Sequence, residues 1–323
     1  MTPARACALR LAFREAQVSA PPIRFPPSMK TKLLRIASSR VLSAAALCLA
    51  VAAPSASAAL MIDLGSNTVG ASDLLNSPLH AARPDFTEST WNSLTSSTTG
   101  AKTGLLYSDG TEATGVTVFM GRSSNNSWST VTFAGAPTNV TSGTNPGNWT
   151  GVLSSATSIG RDGFYSAYAS VSGDPATTRL ASIAIGGLAA GTYEVYIVGL
   201  NPQLSPATGA TMGFWATELS AVTATTTFDA SALINGAPEG MASSTNSVSA
   251  SWVEGANYAK LTVTVSSPDS FLTIVSLGLT EAETRGYLNA IQIVAIPEPS
   301  SAAVLAALGG LAFAATRRRR ASA

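Results

Sequence analysis

The residues able to do chemistry in this chain are few and scattered. His80 is the only histidine, so a Ser–His–acid triad would have to use it. It sits in Ser77-Pro78-Leu79-His80, a loop-like context without a nucleophile elbow, and reads as a surface loop residue. No H-E-x-x-H occurs, which excludes the zinc-protease helix. Both cysteines, Cys7 and Cys48, precede residue 59. The chain from Ala59 onward therefore has no thiol for a disulfide, a zinc–thiolate site or a nucleophile.

Carboxylates are more plentiful. Asp63 in Ile62-Asp63-Leu64-Gly65-Ser66-Asn67 could sit near Mg²⁺ with backbone amides around a phosphate. That chemistry needs a second glycine-rich loop and alternating β/α units, which the sequence lacks. The segment reads as a first strand ending in a glycine turn. Glycoside hydrolysis needs two carboxylates about 5–9.5 Å apart, and Glu281 with Glu283, or Asp109 with Glu112, are the neighbours in sequence. Solvated turn charges are the favoured account of them. Asp73, Asp109, Asp162, Asp174 and Asp269 supply hard oxygens near loops that suit calcium, but no EF-hand or nonapeptide repeat organises them. The expectation is therefore no catalytic residue, no metal site and no resident cofactor.

Five tryptophans, Trp91, Trp128, Trp149, Trp215 and Trp252, are spread along the chain. An exposed indole can stack on a sugar ring, while a packed core buries it. Trp149, in the polar Asn148-Trp149-Thr150-Gly151, is the candidate for sugar stacking.

Charge divides the chain into unlike parts. Eight of the 19 basic residues precede residue 41 and four form Arg317-Arg318-Arg319-Arg320. Residues 59–300 keep seven basic residues against seventeen acidic ones. Such a body disfavours nucleic acid and anionic lipid, both polyanions, and is compatible with a neutral glycan.

The ends carry addresses. After Met29 come Lys30, Lys32, Arg35 and Arg40, an apolar run from Val41 to Ala53, Pro54, and the small-x-small Ala56-Ser57-Ala58. That is a secretory signal over 29–58, cut by signal peptidase to leave Ala59 first. Residues 1–28 show no strand or helix period and read as an extension from an early start codon, a longer leader being the alternative. At the other end Pro297-Glu298-Pro299 precedes an uncharged Ala/Leu run, a helix over 302–316, and the arginine tail 317–320. As a helix the run from Ala302 to Ala315 spans about 21 Å, short of a ~30 Å hydrocarbon core. The arginines hold that end on the cytoplasmic side. The order from 297 to 320 resembles the PEP-CTERM sorting signal. The resemblance implies an exosortase-type membrane protease as partner, a transient membrane stage, and delivery to the surface or extracellular matrix of a Gram-negative bacterium that makes exopolysaccharide. A plain C-terminal membrane anchor is the alternative.

Between the ends, two-residue alternation predominates. Tyr193, Val195 and Ile197 alternate with Thr192, Glu194 and Tyr196, and Leu261, Val263 and Val265 with Lys260, Thr262 and Thr264. Ile183 with Ile185, Phe271 to Leu279, and Leu288 to Ala295 are more continuously apolar, so more central. About ten strands predict an all-β fold, a single antiparallel β-sandwich over 59–296, flanked by the signal helix and the short C-terminal transmembrane helix. Met61-Ile62-Asp63-Leu64-Gly65, Ile185-Gly186-Gly187-Leu188 and Gly286-Tyr287-Leu288-Asn289-Ala290-Ile291-Gln292 are similar to surface-protein jelly rolls related to galactose-binding and carbohydrate-binding modules. In those folds the Leu-Asn-x-Ile-Gln strand returns beside the first strand. The expectation is an exported structural or adhesive protein of an exopolysaccharide layer with sugar binding; a secreted polysaccharide-active enzyme is the alternative.

Overall fold

The computed structural model describes residues 58–297 except 97, 125–126, 141–148, 156, 167–178, 204–209, 236–241, 246–248 and 281–283. The extension 1–28, the signal up to Ser57 with Ala56, and the tail from Glu298 through Pro299 to Arg317–Arg320 lie outside the described residues. Among the described residues, no helix is long and apolar enough to cross a membrane.

Strands dominate, and two sheets carry most of them. The first sheet runs β12 (Ala259–Val265), β8 (Gly191–Val198), β15 (Ala290–Ala295), β1 (Leu60–Leu64), β2 (Asn92–Leu94). The second runs β10 (Thr227–Asp229), β4 (Ser127–Thr132), β3 (Thr117–Ser124), β7 (Ala181–Gly186), β13 (Phe271–Gly278), β9 (Thr211–Leu219), β11 (Ala242–Thr245). A third, small sheet joins β14 (Tyr287–Leu288), β6 (Gly163–Tyr165) and β5 (Thr138–Val140). Among the described residues, two single-turn α-helices, α1 (Pro78–Ala82) and α2 (Ser231–Asn235), and a 3-10 turn at Gly151–Leu153 complete the regular structure.

Alternation explains how the two large sheets meet. Leu60, Ile62 and Leu64 of β1, Val195 and Ile197 of β8, and Ile291 and Ile293 of β15 point inward. They join Val118 and Met120 of β3, Ile183 and Ile185 of β7, and Leu272 and Ile274 of β13 in one core. Each such fully buried side chain stabilises by roughly 1.5–3 kcal/mol relative to exposure. This is a β-sandwich. The strands that read as continuously apolar are those buried on both faces. Met61, Tyr196, Val198 and Val294 pack outward under Leu79, Leu153 and Trp252. Phe119, Ala184, Trp215 and Val275 pack outward under Val222 and Phe228.

The arrangement departs from a purely antiparallel sandwich in one pairing. β1 pairs antiparallel with β15, Ile62 opposite Ile291, but parallel with β2, Ile62 opposite Asn92. A parallel neighbour is possible because the long segment between β1 and β2 carries α1 across the sheet's outer face. Consecutive strands also change sheets: β7 to β8 and β12 to β13 are arches between layers. The turns Ala189-Ala190-Gly191 and Pro268-Asp269 therefore join sheets instead of closing hairpins.

Candidate functional site

The end of β1 gathers the buried carboxylates. β1 turns at Gly65, whose φ of +143° suits glycine and where a Cβ would overlap the Asp162 carboxylate. Asp162 Oδ2 accepts hydrogen bonds from the Asn67 amide at 2.6 Å and from Ser66 Oγ at 3.4 Å. Asp63 and Asp162 are each 2% exposed. Burial, then the charge of Asp162, pushes the Asp63 carboxyl well above its ordinary range. Burial raises Asp162 too, against the hydrogen bonds from Asn67 and Ser66. The first strand thus ends in a glycine turn, as its sequence reads, and the Asp162 carboxylate pins that turn. Asn289, fully buried, ties this end together. Its Nδ2 donates to the carbonyls of Asp162 (2.7 Å) and Gly160 (3.2 Å), and its Oδ1 accepts from the Leu200 amide at 2.7 Å.

His80 is buried, which corrects the surface reading. Ser77 caps α1 and Pro78 occupies its first turn, where a missing N–H costs nothing. That single turn brings Ser77 Oγ to His80 Nδ1 at 2.6 Å, and His80 Nε2 meets the Glu88 carbonyl at 2.9 Å. Nε2–H donates to that carbonyl, so Nδ1 accepts from the serine hydroxyl. Gln292 of β15 closes the network, donating to Ser77 Oγ at 2.8 Å and accepting from the Leu79 amide at 3.0 Å. Ser77 Oγ is buried and engaged, so this Ser–His pair fastens α1 to the sheet. Burial lowers the His80 pKa, against the Glu88 hydrogen bond. The unfolded chain takes up a proton near pH 6.5 before the fold does. The stability held by neutral His80 is therefore complete above about pH 6.5 and lost as pH falls through the lower folded value. Melting temperatures measured from pH 7.5 down to 5 should fall more steeply for wild type than for His80→Gln, whose difference isolates this group.

A polar patch lies on the outer face of the first sheet. Glu194 of β8 meets Arg83 Nη2 at 2.8 Å and Lys260 Nζ of β12 at 3.6 Å. Tyr196 donates its hydroxyl to Glu194 Oε2 at 2.9 Å. Partial burial pushes the Glu194 carboxyl up, but Arg83, Tyr196 and Lys260 outweigh it and hold the carboxyl below its ordinary range. Burial and the Glu194 carboxylate push the Tyr196 phenol well up. Thr262 and Thr264 stand exposed on the same face of edge strand β12. The patch thus offers charged and hydroxyl groups from β8, β12 and the end of α1. Sequence reading missed it. Glu194 shows as a polar position in an alternating strand, but Arg83 lies 111 residues away.

Trp149, the candidate for sugar stacking, lies in the interior. It is 3% exposed, packed with Val152, Leu153 and Ile159, and the Arg161 guanidinium lies 5.5 Å from its ring centroid. Trp215 and Trp252 are buried as well.

The proposed acid pairs separate by position. Asp109 accepts from Thr111 N at 2.9 Å and Thr111 Oγ1 at 2.6 Å within its own turn. Glu281, Glu283 and Asp174 lie outside the described residues. Asp73 accepts from Thr157 Oγ1 at 2.9 Å, and Asp269 is exposed in its arch. Among the described residues no three His, Cys, Asp or Glu side chains come together as a metal site would require. A cavity of about 240 Å³ opens near the start of β1, lined by Ala58, Leu60, Tyr107, Tyr193, Ile293 and Ala295 among others.

No protein-family profile matches the chain, and no curated protein does. Among solved structures it is similar to a family 35 carbohydrate binding module from Clostridium thermocellum, with 9% identity, a TM-score of 0.23, and 41% of this chain and 78% of that one covered. It is similar also to Arthrobacter globiformis T6 isomalto-dextranase complexed with panose, at 18% identity and a TM-score of 0.23 over 40% of this chain and 18% of that one. TmCBM61 in complex with beta-1,4-galactotriose aligns at 10% identity and a TM-score of 0.18, over 42% of this chain and 70% of that one. These superpositions are partial, and the fold rests on the strand order and packing.

Proposed function

We propose that this chain is an exported, non-catalytic surface or matrix protein whose jelly-roll sandwich holds a neutral extracellular polysaccharide. The observation that carries the binding is the patch of Glu194, Arg83 and Lys260 beside Thr262 and Thr264. A sugar presents vicinal hydroxyls that both donate and accept. Carboxylate, ammonium and hydroxyl groups held on strands, with a guanidinium from the end of α1, can match them at little entropic cost. The excess of acidic over basic residues in 59–300 favours a neutral polymer over an anionic one. Export rests on the signal over 29–58, and release from the membrane rests on an exosortase-type cut near Pro297-Glu298-Pro299.

Exported protein should bind at least one neutral glycan on an array. Glu194→Gln and Lys260→Ala should each weaken that binding about tenfold, about 1.4 kcal/mol. The same protein should lack residues 302–323 by mass spectrometry. Binding to no neutral glycan overturns the ligand reading, and an intact tail replaces sorting with a plain anchor. A secreted polysaccharide-active enzyme is the second reading, favoured by the buried carboxyls of Asp63 and Asp162, both raised by burial. Release of reducing sugar that Asp63→Asn abolishes would establish it.

A further inference from the structure

The residue at which the signal reading places the cut is not a loose end. Ala59 is 0% exposed. Its amide donates to Ser108 Oγ at 2.8 Å, and its carbonyl accepts from the Ser108 amide at 2.7 Å. Ser108 is itself held by the Thr90 amide, which donates to its carbonyl at 3.0 Å. Its hydroxyl donates to the Glu88 carboxylate. One hydroxyl therefore links the Ala59 nitrogen to a carboxylate, immediately before β1 begins at Leu60.

A peptidase needs its substrate reachable, and in the folded chain Ala59 is buried. The cut must come before β1 is seated. Hydrolysis breaks the Ala58 carbonyl–Ala59 nitrogen bond; water supplies the hydroxyl to Ala58 and a proton to Ala59 N. The freed amine then takes a further proton from solvent, because an α-amine is ordinarily protonated below about pH 7.7–8.0. When β1 seats, a neutral one-donor amide has become a cation with three donors at a buried position. Burying such a charge without a partner costs several kcal/mol. The partner is already in place: Ser108 Oγ accepts, and Glu88 supplies the opposite charge. Ala58 also lines the ~240 Å³ cavity, so its removal opens that wall beside the amine and leaves room for a water on the remaining donor.

We propose that Glu88 and Ser108 form a receiving site for the α-ammonium of a mature chain beginning at Ala59. The proposal rests on reading 29–58 as a cleaved signal. Its consequence is that processing stabilises the sandwich instead of merely trimming it.

The test begins with N-terminal sequencing of protein exported from the full precursor. Its α-amine is then acylated with an amine-reactive reagent, with Lys102 and Lys260 as internal standards. The α-amine should react at least tenfold more slowly than in a free peptide of the same N-terminal sequence, and Glu88→Gln should remove most of that protection. A second comparison guards against a general loss of stability. Glu88→Gln is also measured in a chain that keeps Ser57-Ala58, where Ala59 N remains an amide. The substitution should reduce the folding equilibrium constant about tenfold more in the chain starting at Ala59 than in the longer one. A mature start other than Ala59 overturns the proposal together with the signal reading. A start at Ala59 with an amine as reactive as the peptide's, or equal Glu88→Gln effects in both chains, overturns the receiving site and leaves the signal reading standing.

Discussion

Asn289→Ala should lower stability by about 3–5 kcal/mol, the sum expected when several buried backbone groups lose a side-chain partner. The Leu200 amide and the carbonyls of Gly160 and Asp162 all face this carboxamide. For a body of this length each kcal/mol shifts the melting temperature by about 2–4 °C, so a fall of about 10 °C is expected. Asn289→Asp keeps the acceptor toward Leu200 but sets a carboxylate against two carbonyls, and should be no better tolerated. A shift under about 2 °C for Asn289→Ala would show that water replaces the side chain and that the corner is not held by it. The reason for so large an effect is topological. Asn289 sits between β14 in the small sheet and β15 in the five-stranded sheet, where neither ladder can satisfy the neighbouring backbone.

Asp63→Asn should act in the opposite direction. Burial and the Asp162 charge raise the Asp63 carboxyl in the fold. Stability linked to a raised carboxyl is complete below the unfolded value, near pH 3.9, and is lost as pH rises through the folded value. At pH 7 this buried carboxyl therefore costs stability. An asparagine is neutral at every pH, and its amide can donate toward Asp162. The variant should be more stable than wild type by about 1–2 kcal/mol at pH 7, with the gain shrinking toward pH 4. Denaturant melts at the two pH values measure it. A loss at pH 7, or a gain independent of pH, would show that the Asp63 carboxylate is satisfied as an anion.

Strand character was legible in the order of residues because a half-buried strand must alternate. Leu261 and Val265 point into the core while Thr262 and Thr264 stay exposed on β12. The resemblance to jelly rolls implied that the Leu288-Asn289-Ala290-Ile291-Gln292 strand returns beside the first, and β15 does pair with β1. The roles of that segment's own polar residues were not legible in the same way. Asn289 turns a corner between sheets, and Gln292 fastens α1; both roles depend on groups far along the chain.

By itself, then, the amino-acid order determined the all-β class, the acidic and cysteine-free character of the body, and the address-like patterns at its two ends. These depend on local period and composition, which need no partner to be read. Only the tertiary structure decided which faces of each sheet are covered, that Trp149 and His80 are interior, and that Asp63 meets Asp162 while Arg83 meets Glu194. A strand has two faces and two edges, and nothing within it says which distant segment will occupy them. Pairing, arches and outer-layer packing are settled by non-local contacts, and the buried charges and the polar patch exist only once those contacts form.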